Sequence, residues 1–275
     1  MKAVVEAFLA DVKGRLKANT FATYKGLLEG FALVHGEAKV EGFTVAKAYA
    51  YANGKGSSSH RHNLLGSMAT AFKWALSVGL ISENPLKNMK RPPKASRGAG
   101  ASIGPDEIMK LLEASGPALK TLLTLLHETG AQPSELSRLT AEDVDFAASV
   151  AILREHKPAS TGKPRLIVLT PKAVAILQAQ ATAHPTGPLL RNSHGNPWDK
   201  DAIGHAMRRA SKKSGVKAIA YGFRHTYATD ALAQGIPEAT VAALLGHSST
   251  AMLFKHYSHL TSRTAVLKEA VGRIR

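Results

Sequence analysis

Residues 221–260 read YGFRHTYATDALAQGIPEATVAALLGHSSTAMLFKHYSHL. Three side chains in this stretch can act on a phosphate. Arg224 supplies a permanent cation. His247, which closes Leu244-Leu245-Gly246-His247, supplies an imidazole for hydrogen bonding. Tyr257, ten residues further on, supplies a phenol that can serve as a nucleophile. The chain has no Cys and no HExxH or clustered carboxylates that would suggest a metal. The chemistry expected from this inventory is phosphoryl transfer through tyrosine, with no cofactor and no metal site.

Working outward, the charge balance points to a polyanionic partner. The formal net charge is +16 and the pI is near 10.1. Such an excess attracts polyanions at long range. It is spread along the chain: residues 1–92 carry 13 basic and 6 acidic side chains, and residues 93–275 carry 23 and 14. A phosphate-facing surface is therefore expected in both parts. The absence of Cys rules out disulfides and thiolate metal sites and fits a reducing cytosol, so the expected location is cytoplasmic. Glu6 and Asp11 interrupt the first apolar stretch, which is unlike a signal peptide. No apolar run approaches the ~20 residues that span a bilayer, and no membrane partner is expected.

At 275 residues the chain is long enough for two cores. The boundary is expected in 93–103, within the Pro- and Gly-rich run from Arg91 to Ser102 that includes Arg97. That run reads either as an inert linker or as a strap along DNA phosphates. Residues 1–92 have helical periodicity. Val4, Val5, Phe8, Leu9 and Val12 form one apolar stripe, and Tyr24, Leu27, Leu28, Phe31 and Val34 form another. A short third helix is predicted from Val45 to Tyr51 and a long fourth from Ser57 to Val78. The start of the fourth, with Ser57, Ser58, Ser59, Arg61 and His62, can seat a phosphate or can simply be a well-capped helix.

Residues 104–275 read as helices around one hairpin. Helices are expected at 105–112, 119–127, 133–139, 171–181 and 199–213, then through the motif stretch and again at 262–274. The β-type runs 149–154 and 164–169 flank Ser160-Thr161-Gly162 and predict the hairpin. The fold class expected is mainly α with a small β-hairpin or sheet in the C-terminal domain, α+β overall.

These residues resemble the C-terminal signature of the tyrosine recombinases, the phage integrase family. That signature reads roughly His-x-Leu-Arg-His-Thr-x-Ala-Thr, then Leu-Gly-His, then Tyr about nine or ten residues later. Here Phe223-Arg224-His225-Thr226-Tyr227-Ala228-Thr229, Leu245-Gly246-His247 and Tyr257-Ser258-His259 match it. Tyr221 stands where the family usually has its first His. The segment from Trp74 to Pro85 looks like the close of the family's helical core-binding domain. The resemblance implies a two-domain DNA clamp: a core-binding domain over 1–92, a linker over 93–103 and a catalytic domain over 104–275. It also implies double-stranded DNA as partner and a homo-tetramer on that DNA.

The catalytic set it implies is Tyr257 as nucleophile, with Arg224 and His247 on the scissile phosphate. A hairpin lysine would protonate the leaving 5′ oxygen. Lys157 is favoured over Lys163 because Glu155-His156-Lys157 resembles the strand-end form of that motif. Lys163 and Arg165 are otherwise expected to face DNA backbone or solvent, as are Arg61, His62 and Arg97. One position departs in a way that bears on activity. The family's Thr-Gly-x-Arg-x-x-Glu-Leu box appears as Thr129-Gly130-Ala131-Gln132-Pro133-Ser134-Glu135-Leu136, with Gln132 in place of arginine. Losing a charge-assisted donor at a reacting centre costs on the order of 2.7–4 kcal/mol, or 10²–10³ in rate.

Three readings follow. One is a site-specific recombinase that works through a 3′-phosphotyrosyl intermediate. Another is a degenerate relative that binds DNA without cutting it, motivated by Gln132 and Tyr221. The third is a type IB topoisomerase-like nicking and closing enzyme. The helical N-terminal part and the Asn84-Pro85 ending favour the recombinase over the topoisomerase.

Overall fold

The computed structural model describes residues 1–93, 102–153, 164–247 and 249–250. Contacts divide the chain into two compact units, Met1–Ser96 and Arg97–Arg275. In the first unit four helices carry the core: α1 (Lys2–Lys13), α2 (Ala18–His35), α3 (Val45–Asn53) and α4 (Ser58–Ser77). The α1 stripe of Val4, Val5, Phe8, Leu9 and Val12 is buried throughout. Phe31 of α2 meets Phe43, Tyr51 and Phe72 edge-on, with centroids 5.4–6.4 Å apart, and so ties α2, α3 and α4 together. Thr44 and Ser57 cap α3 and α4 by accepting from Lys47 and His60 backbone N–H groups, each at 3.3 Å. Val34, placed on the α2 stripe by its spacing, is 57% exposed instead. The buried face of α2 is narrowed to Leu28 and Phe31.

The second unit is built on α5 (Pro105–Ala114), α6 (Pro117–Thr129), α7 (Pro133–Leu136), α8 (Pro171–Ala183), α9 (Lys200–Ser214), α10 (Ala220–Ala233) and α11 (Glu238–Leu245). A three-stranded antiparallel sheet completes it, with order β1 (Val144–Asp145), β2 (Val150–Leu153), β3 (Arg165–Val168). The two predicted strands pair as expected, with Ala151 opposite Ile167. Strand β1 is too short to show an alternating pattern in sequence. Helix α6 is its spine: Leu119, Leu122, Leu123, Leu125 and Leu126 are buried, and α8 and α10 pack on it. The Glu128 carboxylate of α6 accepts from Thr170 at 2.8 Å and pairs with Lys172 at 3.0 Å, which fixes the start of α8.

Helix α10 is buried on more than one face, through Phe223, Arg224, Thr226, Ala228 and Ala231. Thr226 Oγ1 accepts from Ile103 N–H at 2.7 Å and donates to Ile103 O at 3.2 Å, so the start of this unit is held against α10. No helix among the described residues is long and apolar enough to cross a membrane. The predicted hairpin turn 160–162 and the 262–274 helix lie outside the described residues.

Candidate active site

Arg224 is the centre of the site, and its burial is unusual for a charge. It is only 2% exposed. Its Nη1 donates to Gly130 O at 2.8 Å, and its Nη2 donates to Leu245 O at 2.5 Å. The same Nη2 lies 3.0 Å from His247 Nε2. A guanidinium only donates, so Nε2 accepts here and the imidazole proton belongs on Nδ1. Three elements thus converge on one cation: the α6 terminus, α10 and the α11 terminus. Arg224 and His247 are brought together as the sequence motif implies.

Both helix ends are made by glycine. Gly130 (φ +62°) and Gly246 (φ +67°) close α6 and α11 in the left-handed region, which disfavours any residue with a Cβ. Gly130 also lies under the Tyr227 ring. A Cβ there would come 2.5 Å from Tyr227 Cδ1 and 3.1 Å from Leu245 Cδ2. Gly130→Ala is therefore expected to destabilise the fold by about 2–5 kcal/mol, combining the left-handed cost of ~1–2 kcal/mol with overpacking of ~1–3 kcal/mol. Thermal unfolding checks this; a midpoint within a degree of wild type would show that Tyr227 moves aside freely.

Gln132 precedes α7 and is half-buried. Its backbone N–H donates to Glu135 Oε2 at 2.8 Å, which caps the helix. Glu135 is 1% exposed, and its other oxygen lies 3.4 Å from Arg165 Nε. This corrects the expectation for Arg165. Strand alternation turns it inward with Ile167, so it is 3% exposed rather than facing solvent. Burial pushes its pKa down; Glu135 opposes this and Arg224 adds to it. The Tyr227 phenol is raised by burial, with Arg165 opposing.

Tyr221 lies in the first turn of α10, 39% exposed, with its ring edge-on to His225 at 5.2 Å. No hydrogen bond joins it to Arg224 or His247 among the described residues. Arg61 and His62 belong to the other unit. There Arg61 Nη1 reaches Asn53 Oδ1 at 3.5 Å, and His62 Nδ1 lies 2.7 Å from Pro92 O. His62 also lines an open groove of about 470 Å³ with Asn19, Thr20, Asn63, Thr70 and Arg91. Tyr257, Lys157, Lys163 and Arg97 lie outside the described residues. Among those described, no group of three His, Cys, Asp or Glu is placed to hold a metal. Sequence reasoning left out Glu135 as a site residue, although its Gln132-x-x-Glu135 spacing is that of a cap.

The sequence pattern of the phage integrase family matches residues 102–263, more than half of the chain. The chain belongs to the phage integrase family. Tyrosine recombinase XerD of Mycobacterium tuberculosis (strain CDC 1551 / Oshkosh) is 29% identical over 198 residues, which is 64% of this chain and 62% of XerD. The match thus spans less than two thirds of that relative. In fold, the chain is similar to a lambda integrase(75-356) dimer bound to a COC′ core site, with TM-score 0.76 at 20% identity. The likeness covers 91% of this chain and 96% of the other. It is also similar to a lambda integrase tetramer bound to a Holliday junction, with TM-score 0.76 at 19% identity, covering 90% and 74%.

Proposed function

We propose that this integrase is a site-specific DNA recombinase that cuts and rejoins strands through a 3′-phosphotyrosyl link at Tyr257. The observation that carries the reading is the buried Arg224, fixed between Gly130 O, Leu245 O and His247. A cation held by carbonyls on two separate helix ends is pre-organised, so it loses little freedom when it meets an anion. Arg224, and His247 once it carries a proton on Nε2, would bind non-bridging oxygens of the scissile phosphate and align it for in-line attack. The Tyr257 phenol would release its proton to solvent and its oxygen would form the new P–O bond as the bond to the 5′ oxygen breaks. Lys157, or Lys163, would hand that oxygen its proton. The ester stores the energy of the broken bond, so a second 5′ hydroxyl can reverse the step and join a new strand. The partner is double-stranded DNA gripped by both units, with four copies meeting on it.

Gln132 motivates the second reading, a DNA-binding protein without cleavage, because a neutral amide cannot give a bidentate, charge-assisted contact. Trapping on nicked DNA separates the two. After cleavage the short fragment diffuses away, so an active protein accumulates as a covalent adduct on denaturing gels. Salt-sensitive binding without any adduct would favour the second reading. Either way, raising salt from 50 to 200 mM is expected to weaken DNA binding by about 10³-fold or more if six or more phosphates are contacted. A flat response in a fluorescence titration would argue against DNA as the partner.

A further inference from the structure

Among the described residues, nothing accepts from one donor of the Arg165 guanidinium. Its Nε faces Glu135 at 3.4 Å, longer than the 2.7–2.9 Å typical of a charge-assisted bond. Its Nη1 donates to the carbonyl of Leu166. Its Nη2 is buried without a hydrogen-bond partner among the described residues. The other oxygen of Glu135 accepts from the Gln132 N–H. Leaving a buried N–H of a charged group unpaired costs more than leaving a neutral one so.

The surplus lies beside Arg224. Gly246 lies against the Arg165 side chain, where a Cβ would come 2.7 Å from its Cδ and Nε and 3.0 Å from its Cζ. On either side of Gly246 stand Leu245, whose carbonyl holds Arg224, and His247. The two guanidiniums are close enough for the charge of Arg224 to disfavour that of Arg165. Among the described residues, Glu135 is the one carboxylate paired with Arg165, and none is paired with Arg224. A buried excess of positive charge with an open donor is the complement of an anion.

We infer that Arg165 is the second phosphate-binding arginine of this site, reaching from strand β3 the anion that residue 132, a glutamine here, cannot reach with a charge. The inference rests on the recombinase reading for the identity of the anion, the scissile phosphate. Arg165 is then a catalytic residue, and Glu135 is the positioning group that holds its Nε.

The test compares nicked DNA carrying either an ordinary scissile phosphate or a methylphosphonate, which is neutral and has less need of a second cation. Arg165→Gln is expected to lose about 10²–10³-fold in adduct formation on phosphate, and much less on methylphosphonate. Adding Gln132→Arg to that chain is expected to recover at least roughly tenfold. Equal losses on both substrates, without recovery, would overturn the inference and leave Arg165 as a structural partner of Glu135. Should Arg165→Gln not fold, Arg165→Lys keeps a charge while giving up the forked contact, and the same contrast between substrates applies.

If wild type forms no adduct on either substrate, the recombinase reading fails while Arg165 stays testable. Inorganic phosphate, titrated against chloride at equal ionic strength, is then expected to raise the unfolding temperature of wild type saturably. The apparent affinity is expected to fall roughly tenfold or more in Arg165→Lys. No stabilisation of wild type, or equal affinity in both proteins, would overturn the anion site itself.

Discussion

Tyr257→Phe is expected to bind DNA as wild type does and to form no covalent adduct at all. The substitution removes one oxygen, and only that oxygen can become the bridging atom of a phosphotyrosyl ester. Affinity is expected to stay because it comes from Lys and Arg displacing counterions from the backbone. The phenol has pKa ~10, so at neutral pH it is mostly protonated and depends on its neighbours for activation. Labelled nicked DNA run on a denaturing gel gives the answer, with a filter-binding curve as control. An adduct that persists in the Phe protein would place the nucleophile on another residue.

Arg224→Gln is expected to lower adduct formation by about 10³-fold or more, beyond the 10²–10³ of a single donor, because two things are lost together. The cation facing the phosphate disappears, and so does the tie that holds His247 Nε2 at 3.0 Å. Stability is also expected to fall. Gly130 O and Leu245 O both accept from this guanidinium, and a glutamine amide is too short to serve both. One orphaned buried carbonyl costs ~1–3 kcal/mol, which thermal unfolding will register. Arg224→Lys separates the effects, since it keeps the charge but cannot fork between two carbonyls. Cleavage by Arg224→Gln within tenfold of wild type would remove Arg224 from the phosphate.

Much of the architecture was legible because the signals are short-range. The α1 stripe has helical spacing and is buried residue for residue. Ser57, Thr170 and Asp199 sit at helix starts, and each accepts a backbone N–H within its own first turn. Gly130 and Gly246 end their helices where a left-handed residue is needed. Other features resisted reading for equally physical reasons. Strand β3 runs Arg165-Leu166-Ile167-Val168, with apolar residues at both parities, so alternation alone could not say which face was inward. A charged residue at the strand's edge then reads as solvent-facing by default. Tyr221 shared the site's motif in sequence, yet it lies exposed against His225 one turn along.

What the sequence determined by itself was the order of helices and strands, the basic character of the chain, and the membership of Arg224 and His247 in one motif. Periodicity, capping and residue type are properties of a few neighbouring positions, so they survive in a linear reading. Only the tertiary structure decided which groups hold those side chains. Arg224 takes its acceptors from residues 94 and 21 positions away, and Arg165 meets a carboxylate 30 positions away. Nothing in the composition of one segment encodes such pairings, because they follow from α10 packing on α6 and α11, and from α11 packing on β3. Burial then gives each pairing its weight: a guanidinium shut away from water must take its partners from whatever the fold brings within reach.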